Sequence, residues 1–80
     1  MKEYIGSYGP RTIFIENDVL YYQREDRPRF EMQPMGKDLF RIGDLDYFRL
    51  RFERNKSGKV DKVIGLYDNG QTDEHERDKG

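Results

Sequence analysis

The most regular stretch of the chain runs from Tyr47 to Arg54, where Phe48, Leu50 and Phe52 alternate with Arg49, Arg51 and Glu53. A period of two puts apolar groups on one face of a strand and charges on the other, whereas a helix would scatter them around its circumference. Phe30-Met32-Pro34 and Phe40-Ile42 repeat the same period. Pro34 lacks an amide donor, which predicts an edge position or a bulge there. Val60, Val63, Ile64 and Leu66 do not alternate cleanly, which predicts a bulge near Lys62-Val63.

Between these runs, turn signals come about every eight to twelve residues, the spacing of a sandwich or barrel. Gly9-Pro10 closes a first segment, Tyr4–Tyr8. Glu16-Asn17-Asp18 separates Arg11–Ile15 from Val19–Arg24, and Glu25 to Pro28 precedes Arg29–Met35. Gly36-Lys37-Asp38 leads into Leu39–Ile42, and Gly43 to Asp46 into Tyr47–Arg54. Asn55 to Gly58 and Asp68-Asn69-Gly70 bracket Lys59–Tyr67 as hairpin loops. Connections this short force neighbouring strands to run antiparallel. The expected fold is all-β: an up-and-down meander of seven or eight short strands curled into a small barrel, which buries its edges. Residues 1–72 form the single domain. From Asp73 to Gly80 there is no apolar residue and six of eight are charged, so 73–80 is expected to be a disordered tail.

Composition supports strands, since the chain has no alanine but five Phe and six Tyr among frequent β-branched residues. At 80 residues the core is thin, because a domain this size hides only about 60% of its unfolded surface. No cysteine is present for a disulfide, and the lone His75 leaves no Cys/His cluster for zinc. Phe14, Phe30, Phe40, Phe48 and Phe52 are expected to fill the barrel interior. Fifteen basic and sixteen acidic groups nearly cancel, the balance of a salt-bridge-laced surface. No apolar run approaches the roughly 20 residues of a membrane span, and no signal peptide is evident.

The segments YIGSYGPRTIFIENDVLYYQRE, DLFRIGDLDYFRLRFERNKSGKV and VIGLYDNGQTDE resemble a small β domain at the C-terminal end of larger bacterial hydrolases. The marks are Tyr4, Gly6 and Tyr8 in Y-x-G-x-Y, Glu16-Asn17, Leu20-Tyr21-Tyr22, Phe48-Leu50-Phe52, and Gly65-Leu66. They are most similar to the tail domain of carboxy-terminal processing (tail-specific) serine peptidases, and more loosely to those of β-lactamase-like serine hydrolases. The likeness covers residues 3–75 and fades in the charged end after Thr72. It implies an accessory role beside a catalytic domain that carries the nucleophile, and an extracytoplasmic home.

The residues themselves offer no reactive constellation. Ser7 and Ser57 lie in a strand and a loop, and the only imidazole, His75, lies in the charged end. Asp44, Asp46, Asp68, Asp73 and Glu74 read as turn carboxylates, and DNGQTDE lacks the ligand spacing of an EF-hand. No catalytic, metal or cofactor site is therefore expected. Arg24, Arg27, Arg29, Arg41, Arg49, Arg51 and Arg54 could form a basic stripe. Glu25, Glu31 and Glu53 lie among the same strands, so ion pairs are the expected use and nucleic acid is not an expected partner. The candidate partner surface is Tyr4, Tyr8, Tyr21, Arg49 and Arg51. Adjacent tyrosines point to opposite faces, so only one of Tyr21 and Tyr22 enters the core, and an outward tyrosine suits an interface.

The resulting expectation is a non-catalytic C-terminal accessory domain of a larger hydrolase, packing on its parent catalytic domain or on a protein or peptide partner. Two alternatives stand beside it. One is an independent small-ligand-binding barrel; the other is a single-stranded nucleic-acid-binding module.

Overall fold

A computed structural model of the protein describes residues 2–78. Eight antiparallel strands follow one another in a single sheet whose spatial order is their chain order, a pure meander. They are β1 (Gly6–Tyr8), β2 (Arg11–Glu16), β3 (Val19–Arg24), β4 (Phe30–Gly36), β5 (Leu39–Ile42), β6 (Phe48–Arg54), β7 (Val60–Tyr67) and β8 (Thr72–Glu76). The expected fold class is the observed one.

Local chemistry sets the hairpins. Asn17 and Asp18 both take positive φ, 53° and 64°, between the paired Glu16 and Val19. Two such residues give the turn whose twist matches the strands, and Asn and Asp tolerate that region best among non-glycine residues. Gly9, at φ 60°, makes the equally tight β1–β2 turn with Pro10. The Asn55 carboxamide oxygen accepts from the Ser57 and Lys59 amides, closing the β6–β7 loop.

The register shifts between Pro34 and Gly36, so the proline sits at a bulge as its missing donor requires. A second irregularity lies opposite Glu53 and Arg54, whose partners are Lys62 and Val60. The extra residue is Asp61, just ahead of the expected Lys62-Val63. Its carbonyl is taken up by the Arg77 amide, 2.7 Å away. The β3–β4 ladder holds only Tyr21↔Glu31 and Tyr22↔Phe30, so the sheet bends there and wraps around its core.

Inside, Phe48, Leu50 and Phe52 all face inward, and the rings form two groups at opposite ends of β6. Tyr4, Phe40 and Phe52 pack with centroids 4.7–5.6 Å apart at one end, with Tyr8 against Phe52. Tyr22, Phe48 and Tyr67 gather at the other.

Four expectations are corrected. Residues 2–4 form a 3-10 turn rather than the start of a strand. Tyr4 thereby folds in and plugs the barrel end. Phe14 faces outward, because Ile13 takes the inward position and Phe14 stacks on Tyr21 at 5.6 Å. The third concerns the charged end. Thr72–Glu76 is a strand paired to β7 from Leu66↔Thr72 to Lys62↔Glu76. Backbone pairing and Asp73 hold it in place of apolar burial, so the domain runs past residue 72, while Lys79 and Gly80 lie outside the described residues. Tyr4 and Tyr8, finally, are core residues, 7% and 0% exposed, and offer no surface to a partner.

Tyr8 supplies a test of the core. Its hydroxyl donates to the Tyr4 carbonyl at 2.7 Å, and burial pushes its pKa up to about 12, with Arg77 opposing. The folded phenol thus ionises later than the unfolded one. Its contribution to stability is complete below about pH 10 and is lost as the pH rises toward the folded value. Tyr8→Phe is expected to cost about 1 kcal/mol at neutral pH and to flatten the alkaline stability loss. Thermal melts at pH 8 and 11 check both; an unchanged alkaline slope would show that Tyr8 does not drive it.

Candidate functional site

Arg11 points inward beside Ile13 on β2, and its guanidinium is completely buried. Nη1 and Nη2 donate to the two Asp73 carboxylate oxygens at 2.6 and 3.1 Å, in the bidentate geometry that suits this pair. Nε donates to the Tyr22 hydroxyl and Nη2 to the Tyr67 hydroxyl, each at 3.3 Å, and Tyr67 donates to Asp73 at 2.9 Å. The guanidinium also lies 5.4 Å from the Phe48 ring centre. Gly65 makes room for this crossing. A Cβ there would come within 2.5 Å of Asp73 Oδ1 and 2.7 Å of Arg11 Nη2.

Burial alone would raise the Asp73 pKa, but the Arg11 guanidinium and the Tyr67 hydroxyl outweigh it and hold the carboxyl below its ordinary range. Tyr67 is pushed up by burial and by the adjacent carboxylate. Asp73 is thus a carboxylate near neutral pH, with the Tyr67 hydroxyl donating to it. The network ties β2, β3, β7 and β8 together.

Above this floor the barrel opens. A cleft of about 300 Å³ is walled by Tyr22, Phe30, Leu45, Tyr47, Phe48 and Tyr67, with Arg24, Arg27 and Pro28 along one side. Tyr47, on the β5–β6 connection, is 53% exposed, although its carbonyl is anchored by the Asp68 amide at 3.0 Å. Beyond it lies a second hollow, about 240 Å³, lined by Asp46, Arg49, Leu66 and Asp68 as well as Tyr47 and Tyr67. Tyr47 is a ridge between the two.

The sequence-predicted site residues scatter. Tyr21 stays on the outer face, stacked on Phe14, with the Arg29 guanidinium 4.7 Å from its ring centre and 5.9 Å from that of Phe14. Arg49 lines the second hollow, with Nη1 donating to the carbonyls of Leu45, Asp46 and Phe48. Arg51 is exposed on the same strand and has no side-chain partner among the described residues.

Most of the expected basic stripe is neutralised. Arg29 pairs with Glu16 at 2.6 Å, Arg41 with Asp46 at 3.1 Å and Arg54 with Asp38 at 2.8 Å, while Arg24 lies 3.9 Å from Glu25. Glu53 reaches Lys62 across the β6–β7 ladder at 3.8 Å, whereas Glu31 makes no ion pair among the described residues.

Ser7 is in β1 and Ser57 in the β6–β7 loop, while His75 faces Gly9, where an added Cβ would lie 2.9 Å from its Nδ1. Among the described residues no three His, Cys, Asp or Glu side chains are grouped to hold a metal ion, and no helix is long and apolar enough to cross a membrane.

Sequence reasoning missed Arg11, Asp73 and Tyr47. Arg11 was marked only by sharing the parity of Ile13, and Asp73 by sitting at an inward position of a strand with no apolar residue. Tyr47 had no signal beyond being a ring just ahead of β6. In comparisons with known proteins, no family model matches the chain, and no curated protein or solved structure matches it.

Proposed function

We propose that this chain is a non-catalytic accessory domain of a larger hydrolase, of the tail-specific serine peptidase type, and that it holds a protein or peptide partner at its barrel mouth. The open, ring-walled cleft beside the exposed Tyr47 carries the interaction half of this reading. Tyrosine joins a large apolar area to a polar tip and recurs at interfaces for that reason. The accessory half rests on the resemblance of the Y-x-G-x-Y opening, Leu20-Tyr21-Tyr22 and Phe48-Leu50-Phe52 to hydrolase tail domains. Those motifs are chiefly core residues: Tyr4, Tyr8, Leu20, Tyr22, Phe48, Leu50 and Phe52 are all buried.

One observation favours a small-ligand reading. The cleft volume of about 300 Å³ is at the lower end of ligand pockets. The cleft is open and lies at the mouth, however, while Tyr4, Tyr8, Phe40, Leu50 and Phe52 fill the interior. Such a space suits one side chain presented by a larger partner better than an enclosed molecule.

The purified chain is expected to leave peptide and ester substrates intact. Turnover abolished by Ser7→Ala, Ser57→Ala or His75→Ala would overturn the non-catalytic half. The native reading frame is expected to encode a serine-hydrolase domain upstream; a frame without one defeats the accessory half.

A further inference from the structure

We infer that the mouth cleft recognises an acidic peptide segment carrying an aromatic side chain, with the ring in the cleft and the acidic flank over Arg24 and Arg27. This rests on the interaction reading above and adds the chemistry of the partner.

The charge distribution carries the inference. The chain as a whole is nearly neutral, with 15 basic and 16 acidic residues. Yet the residues lining the cleft include two arginines and no carboxylate. Arg27 has no side-chain partner among the described residues, in contrast to the paired Arg29, Arg41 and Arg54. The nearest ion pair at the rim, Arg24 with the exposed Glu25, is a loose 3.9 Å. Glu25 and Asp26 belong to the same loop but do not line the cleft.

The turn that carries the arginines is also held in place. The Arg27 amide donates to the Arg24 carbonyl at 3.0 Å, and the Gln23 carboxamide donates to the Arg27 carbonyl at 2.8 Å. Pro28 follows with its fixed φ. A guanidinium carried on a closed turn loses less freedom on binding a carboxylate, and it can bind one bidentately.

The rings supply the other half. Tyr22, Phe30, Tyr47, Phe48 and Tyr67 line the cleft, where an incoming ring can pack in the offset or edge-on arrangements that aromatic pairs prefer.

The test uses a blocked five-residue peptide with two glutamates on each side of one phenylalanine, titrated into the full chain and followed by amide and ring NMR shifts. Expected are shifts confined to Tyr22, Arg24, Arg27, Tyr47, Phe48 and Tyr67. The affinity is expected to fall about tenfold in Arg27→Ala and in Tyr47→Ala, corresponding to ~1.4 kcal/mol each, and to weaken with added salt.

Both positions are on the surface side of the cleft, so the variants retain the wild-type fold by their unperturbed remaining spectrum. Equal binding of a peptide with lysines replacing the glutamates, or with alanine replacing the phenylalanine, overturns the inference. So does wild-type affinity in both variants. Equal binding of 3-phenylpropionate would make this a small-molecule site instead, which also overturns it. Loss of these shifts without any hydrolytic turnover removes this inference and leaves the non-catalytic reading intact; turnover removes that reading.

Discussion

Replacing Arg11 by alanine is expected to destabilise the domain by about 3 kcal/mol, because removing the fully buried guanidinium leaves the half-buried Asp73 carboxylate without its countercharge and opens a cavity. In a chain this short that lowers the midpoint of thermal unfolding by about 12–24 °C. Asp73 would keep its charge beside Phe48 with only the Tyr67 hydroxyl as donor, and the Tyr22 hydroxyl would lose the guanidinium. The domain's whole stability is only about 4–12 kcal/mol by the usual scale of 0.05–0.15 per residue.

Arg11→Met combined with Asp73→Leu removes both charges, and is expected to recover most of the loss, since apolar replacement of a largely desolvated pair is often neutral or better. A midpoint within a few degrees of wild type for Arg11→Ala alone would refute the central role given to this residue.

The same pair sets the acid limb. Asp73 is held below its ordinary pKa in the folded state, so the unfolded chain takes up the proton first. The stability it contributes is complete above about pH 4 and is lost as the pH falls further, through the folded value. Melts at pH 7 and pH 3 should therefore diverge more for the wild type than for Asp73→Asn. Equal divergence would assign the acid limb to other carboxylates, of which Asp38 beside Arg54 is also depressed.

The second large effect is expected at Arg77. Its Nη1 donates to the carbonyls of Glu3 and Val60 at 3.1 and 2.9 Å, and its Nη2 donates to the carbonyl of Ile5. One planar fork thus joins the β1 approach, β7 and the segment after β8. Arg77→Ala is expected to cost about 2 kcal/mol, since bonds to charged donors contribute about 1.5–3 each but these are partly solvated. Amide hydrogen exchange should accelerate in Gly6–Tyr8 and Thr72–Glu76 while β5 and β6 stay protected. Arg77→Lys is expected not to rescue, because an ammonium cannot span three carbonyls in a fixed plane. Uniform acceleration through the sheet would show that the seam and the core open as one unit.

These two arginines also mark where sequence reading stopped. Phe48, Leu50 and Phe52 were legible because alternation, burial and strand agree at every position. The Asn17-Asp18 and Asn55–Gly58 turns were legible because their backbone chemistry is local. Arg11 was not, because a charge at an inward position is explained only by its partner, which lies 62 residues away. β8 was hidden for a related reason: Thr72–Glu76 has no apolar side chain, and its strand character comes from pairing with β7. Tyr4 and Tyr8 were assigned outward because tyrosine suits both environments; the Tyr4 carbonyl that satisfies Tyr8 is a tertiary fact. The mouth cleft was illegible altogether, being a product of how the β3–β4 and β5–β6 connections meet.

The Asp78 amide donates to the Ser7 carbonyl at 2.7 Å and Arg77 Nη1 to the Glu3 carbonyl at 3.1 Å, which brings the end of the described chain against its opening segment. Anything tethered ahead of Lys2 and anything tethered after Asp78 would leave from the same flank. A short bridge could splice the ends into a continuous ribbon, with fresh termini cut at the exposed Asn55–Gly58 loop. Such a rearranged chain would keep every ladder except one hairpin connection, so the order in which the strands are written is separable from the shape they enclose.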